Sequence, residues 1–106
     1  MNISRILEYL DQIEKLEGIK LDIKRYDGKA IPNSFFKILR IQDPNLDGYC
    51  DVSGIEFLYK TKTIFKISFI KSPIYVSGKF NFGEFKRVVD NTIKNLYKKI
   101  EKLRLA

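Results

Sequence analysis

Asn81-Phe82-Gly83-Glu84 opens a helix that is predicted to run unbroken to Leu105. Apolar residues recur along it at Phe82, Phe85, Val89, Ile93, Leu96, Ile100 and Leu103, almost all at alternating three- and four-residue steps. That spacing gives one continuous stripe to pack on a sheet or on another helix. Asn81 is placed to cap the helix with Glu84 reaching back, and Phe80 and Phe85 hold the positions of a hydrophobic staple. About 24 helical residues span roughly 36 Å, whereas strands of six or seven residues span roughly 20–24 Å. The helix is therefore expected to overhang its sheet, with residues 94–106 projecting. Leu96, Ile100 and Leu103 would then zip against a second copy as a homodimer, or against the first helix of the same chain.

The rest of the chain supplies the layer beneath. Ile3, Ile6, Leu7, Leu10, Ile13 and Leu16 fall at helical spacing, and Gly18 offers a stop. Ile19, Leu21 and Ile23 alternate with Lys20, Asp22 and Lys24, which predicts a half-buried strand ending at the Asp27-Gly28 turn. A second strand is expected over Phe35 to Ile41, closed by the turn-forming run Asp43 to Gly48. Ile55 to Lys60 and Thr63 to Ile70 read as a hairpin about Thr61-Lys62, and Ile74 to Lys79 as a last strand after Ser72-Pro73. With no repeat or linker, residues 1–106 are expected to form a single α+β domain. Its order is an N-terminal helix, an antiparallel sheet of four or five strands, and the long C-terminal helix.

Charge narrows the chemistry. The chain of 106 residues carries 20 Lys and Arg against 13 Asp and Glu, a formal charge of +7 with no histidine to titrate. Residues 1–18 hold two basic and four acidic groups, so the positive excess belongs to residues 19–106. Without histidine, and with Cys50 alone, the common nucleophile–base pairs and nitrogen–sulfur metal sites cannot be assembled in one chain. No enzyme, cofactor, metal site or small-molecule substrate is expected. Asp43, Asp47 and Asp51 recur every four residues but lack the ligand order of a calcium loop, and they are read as turn-forming, solvating residues. The six glycines stand singly, so no phosphate loop is formed. The lone cysteine, the lack of a basic–apolar–small leader and the lack of an apolar run near 20 residues lead to the expectation of a cytoplasmic protein with no membrane partner.

Strand parity then nominates a surface. If Phe65, Ile67 and Phe69 face the terminal helix, Ile64, Lys66 and Ser68 face away. The same rule turns Tyr75 and Lys79 outward, along with Lys24 and Tyr26 from the first predicted strand. Lys24, Tyr26, Lys60, Lys66, Tyr75 and Lys79 are thus expected on one sheet face, with Phe36 and Arg40 joining if their strand is in register. Cations that track phosphates, interleaved with rings that stack on unpaired bases, suit single-stranded nucleic acid, DNA before RNA, with little sequence preference. Two other readings compete. In one, the N-terminal helix covers that face and makes Tyr26, Phe36 and Ile64 core. In the other, the chain is a small accessory module that holds a protein partner with its terminal helix.

A helix, an antiparallel sheet with basic and aromatic outward positions such as Lys66 and Tyr75, and a C-terminal helix with the Leu96–Ile100–Leu103 seam resemble the small archaeal single-stranded DNA-binding proteins of the ThermoDBP type. More loosely, the strand-rich centre followed by a terminal helix looks like the PC4-type single-strand binders. The resemblance is one of layout over most of the chain, and it implies single-stranded DNA binding.

Overall fold

The N-terminal helix does not stop at Gly18. In the computed structural model, which describes residues 2–105, α1 runs over Ile3–Ile23 and passes straight through the segment expected to be a strand. Ile19 and Ile23 stand four residues apart and extend the stripe of Ile13 and Leu16, all of them buried, while Leu21 is 74% exposed. The alternation of Ile19, Leu21 and Ile23 is also consistent with a helix, and continuity with the preceding stripe decides in its favour. A glycine inside a helix costs about 1 kcal/mol relative to alanine, less than burial of either isoleucine contributes.

A 3-10 turn at Lys24–Tyr26 comes next. The second expected strand is also helical: α2 spans Ser34–Gln42 and buries Phe35, Phe36 and Leu39. The β-preference of Phe and Ile is overridden here by packing, because Phe35 meets Tyr26 edge-on at 5.1 Å and Phe36 lies 5.8 Å from Phe57. The sheet consequently has three strands. β1 (Leu46–Asp51), β2 (Gly54–Tyr59) and β3 (Lys62–Ser68) pair antiparallel in sequence order. The predicted last strand is a hairpin of its own, β4 (Tyr75–Val76) and β5 (Lys79–Phe80), which turns at Ser77 and Gly78, both at positive φ. The β2–β3 turn uses Lys60 and Thr61, again both at positive φ, one position earlier than expected. Paired positive φ values are those of the turn that matches strand twist.

Gly48 sits within β1, where an added Cβ would come 2.5 Å from the Glu56 carbonyl oxygen and 3.1 Å from the Phe36 ring. Its missing side chain lets α2 lie against the strand.

The terminal helix α3 covers Phe82–Leu105, as its periodicity requires. Glu84 N–H donates to Asn81 Oδ1 at 3.1 Å, and Phe80 packs 5.3 Å from Phe85. Glu84 does not reach back to the Asn81 amide, which donates instead to Ile74 O; its carboxylate pairs with Arg87. Asp27 Oδ1 accepts from Phe82 N–H at 3.2 Å and adds a second cap. The first turns of α3 sit on the inner sheet face, where Phe85 touches Phe57 and Phe65. Its later turns lie antiparallel along α1, as Lys20–Asp90 (2.7 Å) and Lys99 over the Tyr9 ring (5.8 Å) show. The overhang is thus filled within the chain: Leu96 and Ile100 are buried, and Leu103 is half-buried. The fold is α+β, with an N-terminal helix, an antiparallel sheet and a long C-terminal helix.

Candidate nucleic-acid interface

One face of the three-stranded sheet is left uncovered, but its charge is not the expected one. Tyr49, Glu56 and Lys66 form a row across the three strands, with Tyr49 44% exposed. The Glu56 carboxylate accepts from Thr63 Oγ1 at 2.9 Å. This bond and one from the Tyr49 hydroxyl hold it below the usual carboxylate range, and the same contact pushes the Tyr49 phenol up. Asp47 and Asp51 emerge from β1 on this side, and Arg40 is tied to Asp47 at 2.6 Å. Lys66 points outward as strand parity requires, into surroundings that are more acidic than basic.

Ile64 departs from that parity and is buried. The register shifts between Phe57 and Leu58, which face Phe65 and Thr63, so Ile64 is the extra residue of a bulge and turns inward.

Lys60 lies at the β2–β3 tip with its ammonium 5.5 Å from the Tyr59 ring. It lines a groove of about 390 Å³ whose other wall is α1, with Glu8 and Asp11. Glu8 accepts from Lys62 across the groove at 3.0 Å. Lys60 and Lys66 are therefore separated from each other and from the remaining four residues.

Of those four, Lys24, Tyr26 and Lys79 come together at a corner for a reason strand parity did not contain. Lys24 and Tyr26 lie on the 3-10 turn, not on a strand. The chain after them is stitched to β5: Gly28 N–H donates to Phe80 O at 2.8 Å, Phe80 N–H to Lys29 O at 3.3 Å, and Asp27 bridges Phe80. Lys79 precedes Phe80 and so joins Lys24 and Tyr26 in one backbone unit, whereas Tyr75 pairs with the buried Phe80 and faces the opposite side of the hairpin from Lys79, beside Cys50 and Asp51, which corrects the expectation that the two share a face. Lys24, Lys29 and Lys79 are exposed there. Among the described residues none of the three has a carboxylate within 4.0 Å. Sequence reasoning misses Lys29, although its place directly after Asp27-Gly28 marks it as a turn-borne cation.

Both tyrosine rings are half-buried, not freely displayed. Tyr26 sets its edge on Phe35, and Tyr75 stacks on Phe69 at 5.2 Å with planes 14° apart. Phe36 is buried against β1 and β2, so it belongs to the core.

The carboxylates singled out in the sequence are each engaged. Asp43 pairs with Lys15 and accepts from Asn45 N–H, bonds that hold it below its usual range. Asp47 pairs with Arg40, and Asp51 accepts from the Ser53 and Gly54 amides of the β1–β2 turn. Among the described residues no three Cys, Asp or Glu side chains gather as a metal site. Burial, with Asp51 adding to it, pushes the Cys50 thiol up to about 11, which keeps it protonated and unreactive at neutral pH. No helix among these residues is long and apolar enough to cross a membrane.

No protein-family model, curated protein or solved structure matches the chain.

Proposed function

We propose that the chain binds single-stranded nucleic acid, with little regard to sequence, at the corner formed by the 3-10 turn and the β4–β5 hairpin. The observation that carries this reading is the set of exposed ammonium groups of Lys24, Lys29 and Lys79, without a carboxylate partner among the described residues, on one hydrogen-bonded unit. Cations that are not neutralised internally are free to replace the counterions of a phosphate backbone. Tyr26 supplies ring surface beside them, and its packing on Phe35 fixes the ring in place for a stacking base. Lys60, Lys66 and Tyr75 have no part in this site.

The test is a salt-titrated binding assay with single-stranded DNA, duplex DNA and RNA of one length, run on the protein and on a Lys24→Glu/Lys79→Glu variant. Preference for a single strand, lost in the variant, supports the proposal. Equal and weak binding of all three polymers, or an unaffected variant, overturns it.

A further inference from the structure

The outward faces of α1 and α3 are opposite in character. On α1, the side turned away from the core carries Ile3, Leu7, Leu10 and Leu21, which are 62%, 59%, 41% and 74% exposed. Glu14 stands on that stripe with Asp11 and Glu17 beside it, Glu17 paired with Lys20 of the same helix at 3.0 Å. On α3 the corresponding side carries Lys94, Lys98 and Lys102 at one-turn spacing, with no carboxylate partner among the described residues. One face is apolar with acidic flanks, the other basic, and both belong to the same side of one helix pair.

The two faces are also matched in level. Lys20 lies beside Asp90 and Tyr9 beside Lys99, so the antiparallel register places Asp11 level with Lys98, Glu14 between Lys94 and Lys98, and Ile3 near Leu105. A two-fold axis parallel to the helices preserves these levels while laying α1 of one copy over α3 of the other. We propose that the chain self-associates in this way, as an isologous dimer with α1 of each protomer seated on α3 of its partner. Glu14 of each protomer then faces Lys94 and Lys98 of the second copy, twice by symmetry. The lysine stems cover Leu7 and Leu10, as long basic side chains do on apolar surface, and Leu105, 80% exposed, meets Ile3. The interface differs from the Leu96–Ile100–Leu103 seam, which α1 of the same chain occupies. It also leaves the open sheet face and the Lys24–Lys79 corner outward.

The experiment is sedimentation of the whole protein in the absence of nucleic acid, with circular dichroism as the check on folding. The wild type should sediment as a dimer at tens of micromolar and dissociate as salt is raised. Glu14→Lys and Lys98→Glu should each raise the dimer dissociation constant by on the order of tenfold. An equimolar mixture of the two variants restores both ion pairs and should dimerise again. Leu7→Asp tests the apolar part and should give a folded monomer. A monomeric wild type, reversals that leave the dimer intact, or a mixture that fails to recover would each overturn the arrangement.

Discussion

Phe85 meets Phe65 edge-on, with ring centroids 5.5 Å apart and planes at 74°. The same ring lies 5.3 Å from Phe80, 6.3 Å from Phe57 and 6.4 Å from Phe82. One fully buried side chain in the first turn of α3 thus joins the helix to two sheet strands and to the β4–β5 hairpin. Edge-to-face ring pairs add about 0.5–1.5 kcal/mol each to the burial itself. Phe85→Ala should cost about 3–5 kcal/mol, a large share of the stability of a domain this size. Urea denaturation followed by circular dichroism measures this as a lower midpoint. A loss below about 1 kcal/mol would mean that the aromatic cluster is not the centre of the core.

Two glycines should respond in opposite directions. Gly18 lies in α1 with no atom within 4 Å of an added Cβ, so Gly18→Ala should stabilise the protein by about 0.5–1 kcal/mol through helix propensity. Gly48→Ala drives a methyl into the Glu56 carbonyl and the Phe36 ring and should destabilise by about 2 kcal/mol or more. Thermal unfolding of the two variants beside wild type reads both signs.

How much of this architecture is legible in the sequence depends on whether independent signals agree. At α3 the cap, the staple and the long period all point the same way, and the helix forms as they require. At Phe35 to Ile41 local preference favours a strand, and only contacts distant in sequence, with Tyr26 and Phe57, make it a helix. Gly18 reads as a stop because the stripe that continues through Ile19 and Ile23 is also consistent with alternation. The candidate site inherits these errors: strand parity puts Lys24 on a sheet face, gives Lys66 basic neighbours, and turns Ile64 outward across a bulge. That Lys24 and Lys79 still share a corner comes from the pairing of Gly28 and Lys29 with Phe80, which no periodicity encodes. Gly48 is the missed clue, since a glycine inside a strand signals close approach by a neighbouring element.

The ion pair between the two long helices makes stability fall in acid. Hydrogen bonds from Lys20, and secondarily from Lys86, hold the Asp90 carboxyl below its ordinary range, and the Asp90 bond in turn raises Lys20. A depressed carboxyl contributes stability that is present above its unfolded value, near 4, and is lost as pH falls through its folded value. Asp43, lowered by its bond from Lys15, adds to the same limb. Asp90→Asn should cost about 1 kcal/mol or less at neutral pH, because the carboxylate is 40% exposed. It should also flatten the decline in stability below pH about 4. Denaturation midpoints across that range compare the slopes, and an unchanged slope would place the acid-sensitive group elsewhere.

The salt dependence of nucleic-acid binding should identify which lysines touch phosphate. For a single strand, each neutralised phosphate contributes about 0.7 to the slope of log affinity against log salt. Lys79→Gln removes one ammonium from the proposed corner without reversing its charge, so the slope should fall by about 0.7, with weakening that is uniform across sequences. Lys66→Gln alters a cation that sits among Glu56 and Tyr49 on the open sheet face, and it should leave the slope unchanged. Lys60→Gln, at the acidic-walled groove, should behave like Lys66→Gln. Since all three substitutions remove the same formal charge, a merely global attraction predicts equal effects from each. A slope that drops alike in all three variants would replace a defined corner with the field of the whole protein.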